Sequence, residues 1–399
     1  MKYTPYPEDL GRDTTGDCLE RTRSKFKDVE EVKSAWGKLR VFAGMDGYID
    51  SLYSLVGKRD DVANFSIMNS MLEFSAKIND VAGSSCNIER VLKKRLGGGF
   101  GPNMARSIGT LGVEVDLMGC LGAPSEVFTS TLPENVNYYS LADPGATCAL
   151  EFNDGKIMIT DFSNIYGVNW NLIEEKIGKE NFLELMNGVD AIGQGHWALV
   201  PFLNDIWKIW LEEIFPSMNK RRRIFFVDCA DMSKRSNEHV HEMVNLLENF
   251  NAIDGMRSIL SMNDKEAIQF SRAYAGIREI QEFSDYYTAG LDMIDEFDIH
   301  AVVIHSPYFA TVTSKENTWH LKEGFTSKPR FTTAAGDHFN GAFLVAVASG
   351  MFELDEAVLI ANASTAHFVR TGISPLVTDI KGFIEHYKEY IDGDIDVVI

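Results

Sequence analysis

From about Arg40 onward, short runs rich in β-branched and aromatic residues alternate with longer stretches whose apolar residues recur at helical spacing. The short runs are RVFAG (40–44), VEVDLMG (113–119), DAIGQG (190–195), RRIFFVD (222–228), RSILSM (257–262) and HAVVIH (300–305). Strands separated by helices predict an α/β chain with a mostly parallel sheet covered on both faces. Ahead of them lies a polar leader and then FKDVEEVKSAWGKL, in which Phe26, Val29, Val32 and Trp36 recur at roughly helical spacing. This predicts one added helix, so residues 1–39 read as an N-terminal extension and 40–399 as the main domain. Two stretches, approximately 51–97 and 141–162, break the alternation. The second contains TCALEFNDGKIMITDF, two apolar runs around the turn Asn153, Asp154, Gly155, which is a hairpin signal. Together these stretches predict a small antiparallel flap beside the main sheet.

Composition excludes more than it identifies. With 399 residues and 45% hydrophobic content, the chain is long enough to bury a sizeable core. Fifty-eight acidic against 38 basic residues leave a net charge of −20, which repels nucleic acid and anionic lipid over most of the surface. Cys18, Cys86, Cys120, Cys148 and Cys229 form no CxxC pair, which suits a reducing compartment and argues against a thiolate metal site. The opening MKYTPYPEDLGRDTTGD lacks the apolar stretch of a signal peptide, and no apolar run reaches the ~18 residues that span a bilayer. The expectation is a cytoplasmic protein with no membrane and no nucleic-acid partner.

Four segments could carry chemistry. In VFAGMDGYID a strand runs into a loop holding Asp46 and Asp50, and carboxylates at a strand's carboxyl end commonly face a ligand crevice; surface loops hold such residues too. In LGGGFGPNMARSIGTLG, Gly98 and Gly99 let backbone approach a ligand, and Asn103 either binds it or caps the helix that follows. The spacing is not that of a dinucleotide fingerprint, and a Walker P-loop is absent. In SMNDKEAIQF, Asn263 and Glu266 could face a hydrated Mg²⁺, or simply form a helix cap. Lastly, TTAAGDHFNGAF places Ala334, Ala335 and Gly336 ahead of a helix-like run with Asp337 at its start. Small residues and a helix N-terminus can cradle an anion, and Asp337 is either a base beside that anion or an N-cap.

In this order, the segments resemble the ribokinase-like family of PfkB carbohydrate kinases over most of residues 40–399. FTTAAGD matches the family's DTTGAGD-type turn; Gly98, Gly99, Asn103 and Ala105 match its glycine and asparagine motif; Asn263 to Glu266 match its NxxE motif. The resemblance implies a three-layer α/β/α sandwich with a β-flap lid, and an ATP-dependent, Mg²⁺-requiring kinase of a sugar, sugar acid or polyol. It implies Asp337 as general base, the Ala334–Gly336 turn as anion hole, and Asp46, Asp50, Gly98, Gly99 and Asn103 as substrate contacts. Asn263 and Glu266 would serve the metal through water, Asn362 the adenine, and Ser306 the nucleotide, with a homodimer possible through the lid.

The match has departures. Phe331 replaces the Asp that opens the family's turn, which removes a ligand of its monovalent-cation site. Ile304, Ser306 and Phe309 stand where the family has TxGxxG, so the nucleotide pocket differs in shape. Two alternatives therefore stay open: a nucleoside kinase of the same family, or a catalytically silent sugar-binding protein. Three further features have plain explanations beside functional ones: His239, His241 and Glu242 on a solvated helix face, Lys328 and Arg330 as surface charge, and His338 as helix-terminus packing.

Overall fold

The computed structural model describes residues 13–396, so the first twelve residues of the polar leader lie outside the described residues. Among the described residues there are fourteen strands: β1 (Arg40–Met45), β2 (Tyr48–Arg59), β3 (Phe65–Ile67), β4 (Arg90–Gly98), β5 (Glu114–Gly119), β6 (Val136–Ser140), β7 (Gly145–Phe152), β8 (Gly155–Asp161), β9 (Ala191–Gly195), β10 (Arg223–Asp228), β11 (Met256–Asn263), β12 (Ala301–His305), β13 (Phe309–Thr313) and β14 (Thr318–Lys322). Nine of them form one sheet in the order β14-β13-β12-β11-β10-β9-β1-β5-β6. From β12 to β6 every pairing is parallel; β13 pairs antiparallel with both β12 and β14 and is the one strand of this sheet that runs against the rest.

Strand alternation explains the layers. Phe42 of β1 and Phe225 and Val227 of β10 point into one core, while Val41, Ala43, Ile224 and Phe226 point into the other. Both faces are apolar because helices cover both, which is why these strands read as continuous hydrophobic runs. The helices Phe100–Thr110, Ala335–Ser349 and Leu354–Thr371 pack on one side, and Leu203–Ile209 and Asn237–Asn251 on the other.

The N-terminal extension differs from its sequence reading. It forms two helices, Thr15–Lys25 and Val29–Trp36, the second capped by Asp28, whose side chain accepts from the Glu31 N–H. The first is polar in composition, yet Cys18, Leu19 and Thr22 share one buried face. Phe26 and Trp36 then meet Phe352, with ring centroids 5.6 and 6.2 Å from it.

The second sheet holds β3, β2, β7 and β8 in that order, with β4 pairing the other part of β2. Its pairings are antiparallel except β2 with β7, which run parallel from Tyr48↔Gly145 to Tyr53↔Leu150. The expected all-antiparallel flap is thus corrected. Between β4 and β7 the chain passes through two helices, Phe100–Thr110 and Glu126–Thr129, and two strands of the main sheet, and so re-enters the flap in the direction of β2. Asp50 likewise lies within β2, not in a loop. No helix among the described residues is long and apolar enough to cross a membrane.

Candidate active site

Parallel neighbours end on the same side of a sheet, and here five strand ends converge. Asp46 follows β1, His196 follows β9, Asp228 closes β10, Asn263 closes β11 and His305 closes β12. Opposite them lies the N-terminus of the helix Ala335–Ser349. A cavity of about 310 Å³ opens between these ends and the flap, with Asp50, Thr147, Thr160 and Phe162 on its flap side. A second cavity of about 630 Å³ lies against the turn between β12 and β13, with Tyr308, Phe325, Thr365 and Val369 in its wall. The two share Asn263, His305, Thr332, Ala335 and Gly336. The small-residue turn is therefore the boundary between them.

Asp337 lines the first cavity and directly follows the shared Ala335 and Gly336. It is buried, its Oδ2 accepts from Asn103 Nδ2 at 2.8 Å, and its Oδ1 lies 3.8 Å from His196 Nε2. Burial pushes its carboxyl up to about 7; the charge of His196 opposes the rise and that of Asp228 adds to it. A carboxylate poised near neutrality suits a general base. Ahead of it, Ala334 takes the left-handed conformation at φ 70° and ψ 10°. A non-glycine residue there costs ~1–2 kcal/mol, and such strain gathers at working sites. Among the described residues the other non-glycine residue with positive φ is Ala230, two residues past Asp228. The Ala335 N–H is occupied by the Thr332 carbonyl at 3.2 Å. Gly336 and Asp337 are the next residues of the helix, where N–H groups have no intrahelical acceptor. An anion placed at this helix end would therefore meet the Gly336 and Asp337 N–H groups more readily than that of Ala335.

The glycine loop is shaped by carboxylates. Gly99 holds φ +104°, and a Cβ there would sit about 3.0 Å from Asp46 Oδ1; a Cβ on Gly98 would meet Asp50 Oδ2 at 2.6 Å. Asp46 is fully buried and faces the loop: its Oδ2 accepts from the Phe100 N–H at 3.0 Å and its Oδ1 from the Gly101 N–H at 2.8 Å. It does not line the cavity, so Asp46 is corrected from a substrate contact to an anchor beneath the site. Asp50 does line it, and burial raises its carboxyl while Thr147 and Lys156 pull the other way. Asn103 lines it too, but its amide is engaged by Asp337 on one side and Arg106 on the other.

Asn263 and Glu266 form a full capping box: Asn263 Oδ1 accepts from the Glu266 N–H at 3.0 Å, and Glu266 Oε2 from the Asn263 N–H at 2.9 Å. Both still face the first cavity, and burial together with the charge of Asp228 raises Glu266. Ser306 borders the second cavity, where its Oγ accepts the N–H groups of Tyr308 and Phe309 at 3.1 Å each and fixes the turn. Asn362 is a correction: it is fully buried in the core and donates to the Tyr387 hydroxyl at 3.1 Å. One and two turns of that helix further on, Thr365 and Val369 face the cavity instead.

The remaining candidates resolve toward structure. His338 is locked between the Ala334 carbonyl and Ser374 Oγ, each 2.8 Å away, and stacks on Phe368. Lys328 and Arg330 are exposed, and neither lines the two cavities. Glu242 pairs with Lys208, and no group of three or more His, Cys, Asp or Glu among the described residues is arranged to hold a metal. Sequence reasoning missed His196, Asp228 and His305, although each stands at a strand's carboxyl end, the rule that flagged Asp46. Asp228 is tied down by Asn340 Nδ2 at 2.8 Å, and burial raises it.

Comparison with solved structures shows the ribokinase-type fold. Arabidopsis thaliana ribokinase complexed with ribose and ATP superposes with a TM-score of 0.58 at 14% identity, over 89% of this chain and 98% of that one. The tetrameric inhibited form of Escherichia coli phosphofructokinase-2 gives 0.58 at 16% identity, over 88% and 99%. The Methanocaldococcus jannaschii nucleoside kinase gives 0.52 at 14%, over 87% and 98%. These likenesses put the chain in the class of ribokinase-fold proteins. Within it, the chain belongs to the prokaryotic ketohexokinase family, whose model matches residues 17–387. A Haloferax volcanii ketohexokinase is 29% identical over 359 residues, 89% of this chain and 93% of that protein. The protein is a carbohydrate kinase.

Proposed function

We propose that this carbohydrate kinase transfers the γ-phosphoryl group of ATP to a hydroxyl of a ketohexose. The observation that carries the reading is Asp337 at the junction of two cavities, one under the flap and one against the β12–β13 turn. The sugar lies in the first, with Asp50 and Thr147 accepting or donating to its hydroxyls. The nucleotide lies in the second, its base against the aromatic wall of Tyr308 and Phe325, whose rings stack at 4.9 Å. Its terminal phosphate reaches the helix N-terminus at Gly336 and Asp337, where N–H groups and the helix dipole favour negative charge. Asp337 takes the hydroxyl proton as the oxygen bonds to phosphorus and the bond to ADP breaks. Flap residues Thr160 and Phe162 keep water from the same phosphorus.

The donor set fits Mg²⁺ through water only. Asn263 and Glu266 are bonded to each other, yet Glu266 faces the cavity as a carboxyl raised by burial and then by the charge of Asp228, and a hydrated cation beside it would favour its ionised form. Bound there, the ion would neutralise phosphate charge. The test is a substrate panel: with ATP and Mg²⁺, the purified chain is expected to form ADP fastest with fructose, ahead of glucose, ribose and adenosine. Preference for adenosine would favour nucleoside phosphorylation, and no turnover on any acceptor would favour a silent binding protein.

We also propose a homodimer formed through the flap. Leu72, Leu92 and Ile159 are exposed on it at 79%, 44% and 58%, apolar surface that a partner flap would cover. Sedimentation equilibrium is expected to give twice the chain mass, falling to one chain in Ile159→Lys; a wild-type monomer would refute the dimer.

A further inference from the structure

His196 has no counterpart among the residues the sequence singled out, yet it occupies the space between two carboxylates. Its Nδ1 lies 3.0 Å from Asp46 Oδ2 and its Nε2 3.8 Å from Asp337 Oδ1. Asp46 is fully buried and is itself fixed by the Phe100 and Gly101 N–H groups, so it holds the ring in one orientation. The ring edge also packs on Phe100, with centroids 5.7 Å apart. We propose that His196 is a positioning residue whose cationic imidazole, braced by Asp46, keeps Asp337 charged and ready to take the substrate proton. The inference rests on the sugar-kinase reading and names how its base is tuned.

The charges around Asp337 pull in both directions. Asp46 and Asp228 face it from the ends of β1 and β10, and both disfavour its ionised form. From the helix Phe100–Thr110 come Asn103, which donates to it, and Arg106, a more distant cation that attracts the Asp337 charge while turning a guanidinium nitrogen to Asn103 Oδ1. On its own helix His338 is neutral, because burial lowers it to about 3. His196 is then the cation nearest the base. Burial works against its charge, but the hydrogen bond and charge of Asp46, with Asp337 and Asp228 behind, lift it to about 10. At 3.8 Å its Nε2 is beyond hydrogen-bond range of Asp337, so it acts by charge and leaves the carboxylate oxygen open to the substrate hydroxyl.

The test is the pH dependence of kcat/KM for the sugar. In the wild type, activity is expected to fall as pH drops through about 7, because Asp337 then carries a proton and cannot accept another. In His196→Gln the acid limb is expected to move up by about one pH unit or more, a roughly tenfold loss at neutral pH that is regained in alkali. His196→Lys, which restores a positive charge, is expected to bring the limb back toward neutrality. Equal loss at every pH, or an unmoved limb in His196→Gln, would overturn the proposal. Should His196→Gln fail to fold, histidine NMR of the wild type decides: an imidazolium persisting beyond pH 8 supports the proposal, and a ring neutral at pH 7 refutes it. Absence of turnover in the wild type would instead remove the kinase reading, while the same NMR titration would still report the charge on His196.

Discussion

Asp337→Asn is expected to lower kcat for sugar phosphorylation by ~10²–10⁴ while leaving the folded structure intact. The amide matches the carboxylate in size but has no capacity to take a proton at neutral pH. Binding should change little, since the proposed arrangement has Asp50 and the flap hold the sugar and the second cavity hold the nucleotide. Stability should not fall. The Asp337 carboxyl is raised from 3.8 to about 7 by burial, so the unfolded chain ionises first, and stability is lost as pH rises through that window. At pH 8 the Asn variant is therefore expected to melt at or above the wild-type Tm. Steady-state kinetics with scanning calorimetry check both halves, and a variant with near wild-type kcat would remove Asp337 from the chemistry.

Arg370→Met is expected to have the largest effect on stability, about 3–5 kcal/mol, and to weaken nucleotide binding more than sugar binding. The side chain is 2% exposed. It donates to the carbonyls of Gly324 and Phe325 at 2.8 Å each and of Ala366 and Ile395 at 3.0 Å each. It also faces Glu323, a buried carboxyl that burial raises and Arg370 pulls down. Methionine keeps much of the volume and none of the donors, so several buried carbonyls lose their partner together. Gly324 and Phe325 belong to the wall of the second cavity, which is why KM for ATP should rise while KM for the sugar stays close to wild type. Urea unfolding and the two KM values measure this; a stability change under ~1 kcal/mol would contradict it.

What the sequence revealed depended on the range of the interactions. The six named strand runs all lie in the main sheet, because strands buried on both faces carry an uninterrupted apolar signal. The Thr15–Lys25 helix escaped notice because, of its four buried residues, Thr15, Cys18, Leu19 and Thr22, two are polar, and two apolar side chains are too few to stand out among charged neighbours. Asp337 and its turn were visible because their parts are contiguous in the chain. His196 was not, because its partners Asp46 and Asp337 are 150 and 141 positions away, and only the closing of the sheet joins them. Asn362 shows the opposite error: the helix was rightly placed, but one turn decides whether a side chain faces Tyr387 or the cavity.

The central claim is that sugar and nucleotide occupy two cavities that meet at Asp337. A crystal structure with fructose and a non-hydrolysable ATP analogue tests it most directly. One sugar hydroxyl is expected ~3 Å from an Asp337 carboxylate oxygen, with the terminal phosphate at the Gly336 and Asp337 N–H groups. A sugar with no hydroxyl near Asp337, or a nucleotide bound away from that helix end, would contradict it.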